Sequence, residues 1–338
     1  MSNKIQKLIV LISVLSIAIP IAALAADPIS FTILAADPIS FTILHTNDFH
    51  GQLGASGSNP GTARVAQKIA DVRAAIGAGN VLLFDAGDIM RGGLLSNLQK
   101  GLPTIRYYRT IGYNAATFGN HEFDWGQVVL ANRIAQAEAP PTADESPVQM
   151  IAANITKKHG GGNCTWEPFH PKVTPYEVFT VGTGPDTVRV GVIGVTTTET
   201  PILTIASATA GLCFKDPADS ILHYYDAMKA QTDVIVVLSH LGYFDGGYGY
   251  GIPVYGDQTL AQKLNTAGKP VNLIIGGHSH IDLESATVIG ATRVVQAYCK
   301  GRNLGRADIT VNLDGTVLVS WQSISISPSD PRTRPSTH

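Results

Sequence analysis

The chain has 338 residues, of which 24 are Lys or Arg and 26 are Asp or Glu, so its formal net charge is −2. This balance excludes a polycationic nucleic-acid binder and an acidic disordered chain, and the 44% hydrophobic content is enough to bury a large core. Charged residues make up only 15%, while 34 glycines and 19 prolines indicate many tight turns and long loops. The composition is typical of an exported enzyme and excludes a coiled coil or a helical repeat.

The first 25 residues have the three-part layout of a secretory signal. Lys4 and Lys7 precede an apolar stretch over residues 8–24, and small side chains at its end offer a cleavage site after Ala25. We therefore predict a signal peptide over residues 1–25 and a secreted or periplasmic protein that keeps no stable membrane anchor. The alternative is an uncleaved anchor, because the apolar stretch is close to the length that spans a bilayer.

A perfect repeat of ten residues follows, in which residues 24–33 recur as residues 34–43. Two identical copies cannot both be the same strand of one fold. Only the second copy continues into a further apolar segment, so we predict that it forms the first strand. Residues 26–40 are then a duplicated arm that is disordered in part. The alternative is an extra edge strand, because Phe31 and its neighbours are β-prone.

From residue 41 onward, short apolar runs alternate with apolar residues at helical spacing. The predicted strands are Phe41–His45, Val81–Asp85, Ala115–Phe118, Gln149–Ala153, Val188–Gly194, Val234–Ser239, Leu273–Gly276, Arg293–Ala297 and a hairpin of Ala307–Val311 with Thr316–Trp321. The predicted helices are Ala63–Ala75, Thr104–Ile111, Gln127–Ala137 and Ser220–Ala230. This alternation predicts an α/β domain over residues 41–325 with helices outside its sheets. Pro- and Ser-rich residues predict a disordered tail over 326–338.

Side chains that can bind metals follow five of these strands. In chain order they are Asp48, His50, Asp85, Asp88, Asn120, His121, Asp124, His240, His278 and His280. The carboxyl ends of strands form the binding crevice of open α/β sheets, so we expect these side chains to meet there. Asp48 and His50 are two residues apart, as are His278 and His280, and in extended backbone both members of a pair project to the same side.

This mixture of side chains predicts a two-metal hydrolase. A carboxylate from the turn after the second strand can bridge two cations roughly 3.5–4 Å apart. Imidazoles mixed with carboxylates suit Mn, Fe, Zn or Co better than calcium, which prefers oxygen ligands alone. We therefore predict two divalent metal ions at this edge of the sheets.

Four motifs occur in order with strands before them. They are LHTNDFHG (44–51), DAGD (85–88), GNHEFDWG (119–126) and GGHSH (276–280). Together they resemble the calcineurin-like metallophosphoesterases, and specifically the catalytic domain of the bacterial 5′-nucleotidase family, over residues 41–322. The resemblance implies a metallophosphoesterase domain over 41–325 with a four-layer α-β-β-α sandwich of two mixed sheets.

The resemblance also implies roles for individual residues. The first metal would be held by Asp48, His50, Asp88 and His280. The second metal would share Asp88 as a bridging ligand and be completed by Asn120, His240 and His278. A hydroxide held between the metals would attack phosphorus in line. His121 would stabilise the transferred group or protonate the leaving oxygen, and Asp124 would orient His121.

The residues around the ligands have expected roles in supporting the site or contacting the substrate. We expect Asn47 and His45 to support the ligands, and Asp85 to be a buried structural acid. Asp124 has a simpler alternative as the N-cap of a helix. Asn120, Arg91 and Arg64 are candidate contacts of the substrate phosphate.

The expected substrates are nucleotides or other small phosphate esters. Family members carry a second, C-terminal domain that binds the nucleotide, and we expect the residues after the terminal hairpin to be too few to build it. The family resemblance therefore supports the metal centre but does not by itself support specificity for 5′-nucleotides. A cyclic-nucleotide phosphodiesterase, a thiosulfohydrolase and a fragment that needs a separate substrate-binding domain remain open alternatives. A non-catalytic binding module is disfavoured, because such a module needs no complete set of metal ligands.

Three cysteines permit at most one internal disulfide. Cys164 and Cys213 both lie in predicted loops beside glycines, whereas Cys299 follows an apolar strand pattern. We predict a Cys164–Cys213 bridge and a free Cys299.

Overall fold

Strands and helices alternate along the part of the chain that the computed structural model describes, which is residues 37–183, 186–247, 251 and 254–330. The strands are β1 Ile39–Thr46, β2 Val81–Asp85, β3 Ala115–Ala116, β4 Gln149–Met150, β5 Ile155–Lys158, β6 Cys164–Pro168, β7 Tyr176–Thr183, β8 Asp186–Thr196, β9 Leu212–Phe214, β10 Val234–His240, β11 Leu273–Gly276, β12 Thr287–Ile289, β13 Thr292–Val295, β14 Asn303–Val311 and β15 Val317–Ser325. The helices are α1 Thr62–Ile76, α2 Leu94–Leu98, α3 Leu102–Ile111, α4 Gln127–Ala137, α5 Thr200–Leu203, α6 Ala206–Thr209, α7 Pro217–Lys229 and α8 Asp257–Thr266.

Two six-stranded sheets carry the fold. Their strand orders are β15-β14-β1-β2-β3-β4 and β12-β13-β11-β10-β8-β7. In each sheet the central strands run parallel and the added hairpin strands run antiparallel, so both sheets are mixed. A third, three-stranded sheet has the order β6-β5-β9.

Hydrophobic residues between the two large sheets join them face to face. Ile43 and Phe84 from the first sheet share one buried cluster with Val192 and Val236 from the second. Because side chains alternate along a strand, neighbouring residues face the other way. Leu44 thus belongs to a different cluster, with residues of helices α1, α3 and α4.

The outer face of the second sheet is covered in the same way. Val237 of β10 packs in a third cluster with Ile221 of α7 and Leu260 of α8. Helices therefore lie on the outer face of each sheet, which confirms the predicted α-β-β-α layers and the two mixed sheets.

The predicted strands and helices are all present, with bounds that differ by a few residues. The second copy of the repeat does form β1, which begins at Ile39, so the predicted arm ends two residues too late. The first copy and the predicted signal segment lie outside the described residues. The sequence patterns missed α8, where Leu260, Ala261 and Leu264 are buried in an otherwise polar helix. They also missed β7 and the three-stranded sheet.

The predicted tail begins later than expected. Ile326 is 2% exposed and its amide donates to the carbonyl of Arg302 at 2.7 Å, so this residue continues the fold beyond β15. Asp330 accepts from the amide of Ser327 at 2.9 Å. Residues 326–330 are thus bonded to the domain, and residues 331–338 lie outside the described part. No helix within the described ranges is long and apolar enough to cross a membrane.

The predicted disulfide is confirmed. Cys164 and Cys213 are bonded with their Cα atoms 5.8 Å apart, and Cys299 is a buried free thiol. The bridge joins β6 to β9, the two edge strands of the three-stranded sheet, and closes a loop of 49 residues.

Removing this bridge should destabilise the domain, because the cross-link restricts the unfolded chain. We expect the double variant Cys164→Ser/Cys213→Ser to lose about 2–4 kcal/mol of unfolding free energy in urea titrations. A reductant should shift the wild-type midpoint to that of the variant and leave the variant unchanged. Identical midpoints for the two oxidised proteins would contradict this stabilising role.

Candidate functional site

The predicted ligands meet where the carboxyl ends of the two large sheets face each other. In each sheet the strands that precede them are parallel neighbours, β1 with β2 and β10 with β11, so the loops after them leave at one edge. Asp48 Oδ1 of the first sheet lies 3.9 Å from His240 Nε2 of the second. The site is therefore built between the sheets, and no single strand could supply it.

Six of the side chains form two candidate metal-binding groups, each with ligand atoms within 4.8 Å of one another. One group contains Asp48, His50 and His280, and the other contains Asp88, His240 and His278. Asp88 Oδ2 lies 3.1 Å from His240 Nε2 and 4.0 Å from His50 Nε2, so this carboxylate faces both groups.

Hydrogen bonds to main-chain carbonyls set the tautomers of two histidines. His240 Nδ1 donates to the carbonyl of Ala86 at 2.7 Å, and His50 Nδ1 donates to the carbonyl of Arg91 at 2.9 Å. In the neutral rings, Nε2 is then a lone-pair atom that points at another acceptor. His50 Nε2 is 3.0 Å from His280 Nε2. Two lone-pair atoms this close need a cation or a proton between them. A metal-bound histidine typically donates a hydrogen bond from its other ring nitrogen to a carbonyl, as Nδ1 of His50 and His240 does here.

The surroundings of Asn120, His240 and Asp88 also fit ligands of divalent metal ions. Asn120 Oδ1 is buried and has no hydrogen-bond partner among the described residues, whereas the buried His240 Nε2 lies 3.1 Å from Asp88 Oδ2. Burial alone would raise the pKa of Asp88, but the charges of His240 and His50 outweigh it and hold that pKa well below its usual value. For His240, burial is outweighed by Asp88 and Asp48, which raise its pKa to about 10. The two carboxylates thus favour the protonated form of His240, and a metal ion that binds His240 Nε2 would compete with that proton.

The backbone at the site is left-handed, which corrects the expectation of extended pairs. Positive φ angles of 50–73° occur at Asp48, His50, Asp88, His278 and His280. Such angles are unfavourable for residues with a Cβ and typically occur where the surrounding structure enforces them. As a result, His278 and His280 belong to different groups although they are two residues apart.

Glu122 enforces part of this geometry, and the sequence patterns missed it. Its carboxylate is 1% exposed and accepts hydrogen bonds from four main-chain amides, those of Asp88, Ile89, Met90 and Gly119, at 2.8–3.2 Å. It thereby joins the loop of Asp88 to the loop of Asn120. The available signal was a carboxylate inside the GNHEFDWG motif, next to His121.

The supporting residues divide into confirmed and corrected predictions. Asn47 Nδ2 donates to Asp48 Oδ2 at 2.8 Å, so this amide orients the ligand as expected. Asp85 is fully buried and accepts from the hydroxyls of Thr46 and Tyr108 at 2.6 and 2.8 Å, which confirms a structural acid. His45 instead accepts from the indole of Trp321 at 3.1 Å, within the sheet.

His121 and Asp124 form a pair at the edge of the two groups. His121 Nδ1 and Asp124 Oδ2 are 2.6 Å apart, and this hydrogen bond is the main cause that raises the pKa of His121. The His121 amide donates to Asp88 Oδ1 at 2.9 Å, and 34% of its side chain is exposed. Helix α4 has Gly126 as its N-cap, so the alternative role of Asp124 as that cap is wrong.

The two arginines have different surroundings. The guanidinium of Arg91 contacts Asp124 Oδ2 and lies 3.4 Å from His121 Nδ1, so Arg91 is part of the site. Arg64 is buried and donates to the carbonyls of Pro60 and Asp330, both at 2.9 Å. Its guanidinium therefore serves the fold, and the expected phosphate contact of Arg64 is wrong.

Gly277 leaves room for the metal-binding side chains. A Cβ there would lie 2.9 Å from the Ala86 carbonyl, 3.0 Å from His240 Nδ1 and 3.2 Å from Asp48 Oδ2. We expect Gly277→Ala to weaken divalent-metal binding by roughly 10-fold or more, because the added methyl group displaces two candidate ligands. Calorimetric Mn²⁺ titration measures this, and Gly54→Ala, where a Cβ meets nothing within 4 Å, is the matched control. Unchanged affinity in Gly277→Ala would contradict the tight packing.

Comparisons with known proteins show which family and which fold this chain resembles. The sequence model described as calcineurin-like phosphoesterase matches residues 41–282. A 5′-nucleotidase of Vibrio cholerae is 31% identical over 307 residues, an alignment that covers 84% of this chain and 51% of the relative. The chain thus spans about half the length of that relative.

Two solved structures show the same fold. The 5′-nucleotidase precursor of Thermus thermophilus is 29% identical with a TM-score of 0.66, over 86% of this chain and 55% of that one. The calcineurin-like phosphoesterase YfkN of Bacillus subtilis has a TM-score of 0.68 at 24% identity, over 88% of this chain and 93% of that one.

Proposed function

The chain belongs to the calcineurin-like phosphoesterase family, and on that premise we propose that it is a dinuclear-metal hydrolase of nucleotides or other small phosphate esters. The observation that carries the proposal is the pair of three-residue groups at the meeting point of the sheets, with Asp88 facing both. Carboxylate and imidazole ligands suit Mn, Zn, Fe or Co.

We propose ligands for the two ions from the family resemblance, and the two candidate groups support six of them. One ion would be held by Asp48, His50, Asp88 and His280, and the other by Asp88, Asn120, His240 and His278. Two such ions, when bound, lower the pKa of water and neutralise charge on the phosphate. The protein supplies their fixed positions, because Glu122 and the carbonyl-bonded histidines hold the loops before any ion arrives.

His121 is proposed as the acid–base residue. The Asp124 hydrogen bond raises its pKa and occupies Nδ1, so Nε2 of a protonated ring can donate to the leaving oxygen. Asp124 also accepts from the hydroxyl of Thr204 at 3.1 Å, which fixes the carboxylate that orients the ring. Asp124 is therefore assigned as a positioning residue and His121 as the catalytic one.

Nucleotides are the proposed substrate class, because the matched relatives are named 5′-nucleotidases. Export to the periplasm or outside the cell is supported by the signal-like residues 1–25 and by the Cys164–Cys213 disulfide, which is typical of oxidising compartments. Asn120 and Arg91 are the proposed contacts of the substrate phosphate.

A substrate panel tests the proposal. The purified protein would be loaded with Mn²⁺ and phosphate release measured from AMP, with a cyclic nucleotide, a phosphodiester and a thiosulfate ester as comparisons. We expect metal-dependent phosphate release from AMP that is lost with a chelator. A folded, metal-loaded protein that leaves AMP intact but hydrolyses one of the other compounds would replace nucleotide hydrolysis by that reaction.

A further inference from the structure

A group of aliphatic side chains is exposed beside the candidate metal site. Ten large hydrophobic residues are exposed among the described residues, and six of them come from three short segments near the site. These six, which we call the aliphatic face, are Leu94, Leu95, Leu98, Val128, Ile202 and Ile205, each 42–79% exposed. Single exposed apolar side chains are ordinary, whereas a group of them marks an interaction surface.

Hydrogen bonds at the start of α4 bring the three segments together. Asp124 Oδ1 accepts from the hydroxyl of Thr204, between α5 and α6, at 3.1 Å. Oδ2 of the same carboxylate contacts Arg91, three residues before α2. Gln127 Nε2 donates to the carbonyl of Ala210, just after α6, at 2.8 Å. The segments that carry the aliphatic face are therefore neighbours in the fold.

A second set of contacts joins the far end of α2 to α4. Arg133 of α4 donates from Nε to the carbonyl of Lys100 at 2.7 Å and from Nη2 to the carbonyl of Gln99 at 3.0 Å. Helix α2 is thus held against α4 at both of its ends. Its leucines remain exposed although the helix itself is fixed, so they do not cover a core of this domain.

The charges of the three segments favour an anionic partner. Residues 91–100, 124–133 and 200–210 contain four charged side chains, those of Arg91, Lys100, Asp124 and Arg133. Arg91 and Asp124 pair with each other. Lys100 and Arg133 therefore leave an excess of two positive charges beside the aliphatic face.

Aliphatic side chains with cations at their edge match the surface of an anionic lipid bilayer. Leucine, isoleucine and valine can enter the boundary of the acyl chains, while lysine and arginine reach the lipid phosphates. The aliphatic face contains no aromatic residue, although Tyr, Trp and Phe are the side chains enriched in protein interfaces. Its chemistry therefore favours lipid over another protein.

We propose that the aliphatic face docks on the surface of an anionic lipid bilayer, with the leucines of α2 inserted between the headgroups. The contact is peripheral and reversible, and it needs no membrane-spanning segment. Because Asp124 joins the three segments, docking holds the entrance of the candidate site at the boundary between lipid and water. The proposal adds a place of action to the proposed function and does not depend on it.

Vesicle sedimentation tests the proposal. The protein would begin at Ala26, which keeps every described residue and removes the apolar residues 8–24 that could themselves bind lipid. We expect the wild type to sediment with vesicles of phosphatidylglycerol and phosphatidylcholine, and less with vesicles of phosphatidylcholine alone. Leu94→Ser/Leu98→Ser should weaken binding about tenfold or more, because two side chains no longer leave water.

Leu313→Ser/Leu318→Ser is the matched control. These leucines are 64% and 61% exposed, and they lie near the start of β1, at the end of the first sheet away from the site. This variant should bind vesicles as the wild type does. Lys100→Glu should weaken binding to the anionic vesicles and leave the weak binding to phosphatidylcholine unchanged. Urea titrations check that each variant is folded.

Two results would overturn the proposal. One is a wild type that stays in the supernatant with both kinds of vesicle, and the other is equal binding by Leu94→Ser/Leu98→Ser. If the wild type binds no vesicles but forms a dimer in sedimentation velocity that this variant does not form, the aliphatic face belongs to a second copy of the chain. Binding requires no turnover, so failure to hydrolyse AMP would leave this test intact.

Discussion

Replacing Asp88 with asparagine is expected to abolish phosphate release from AMP and to remove at least one of the two metal ions. The carboxylate faces both candidate groups, 3.1 Å from His240 Nε2 and 4.0 Å from His50 Nε2, so its negative charge serves both sites. Losing a group that merely supports a ligand costs up to about 100-fold, and losing a shared ligand should exceed that. Metal content by mass spectrometry and phosphate release together measure the effect.

The control for this variant is Asp85→Asn, three residues earlier in the same motif. Asp85 bonds to Thr46 and Tyr108 and is absent from both candidate groups, so the variant should keep two ions even if its melting temperature falls. Loss of metal from Asp85→Asn with full retention by Asp88→Asn would reverse the assignment of the two carboxylates.

Replacing His121 with glutamine is expected to lower kcat by roughly 10²–10⁴-fold, the range for loss of a general acid or base. The ring belongs to neither metal group, and its raised pKa favours the protonated form that can donate to a leaving oxygen. Metal content should therefore stay at two ions per chain. This combination of slow turnover and full metal loading distinguishes His121 from the ligands.

Two further variants make the His121 prediction specific. His159→Gln makes the same change at an exposed histidine that bonds to Glu167, and it should leave kcat unchanged. Asp124→Asn should lower kcat less than His121→Gln does, and combining the two changes should add little because they act as one unit. Wild-type kcat in His121→Gln would contradict the acid–base role.

The sequence predicted the fold well because its strands are apolar runs with distinct ends. Val81–Asp85 and Leu273–Gly276 are found at the predicted bounds, since each is fully buried and ends at a glycine-rich turn. Helix α8 was missed because its apolar residues are few. The three-stranded sheet was missed because its strands are short and β6 and β9 are partly exposed.

The site was predicted by residue type but not by conformation. Six of the seven predicted ligands form the two groups between the sheets, five of them from loops and His240 from the end of β10, which follows from strand order. The left-handed backbone at Asp48 and His278 did not follow, because local sequence favours negative φ at such residues and only tertiary contacts reverse the preference. Glu122 was missed for the same reason, since its four amide donors come from two separate loops.

The most direct test of the two-metal account is a stepwise Mn²⁺ titration of the metal-free protein that records bound ions and phosphate release from AMP in the same samples. The account predicts two ions per chain in the wild type, with release that rises as the second ion binds, and no release from Asp88→Asn at any metal concentration. Full activity with a single bound ion, or equal release from Asp88→Asn, would contradict it.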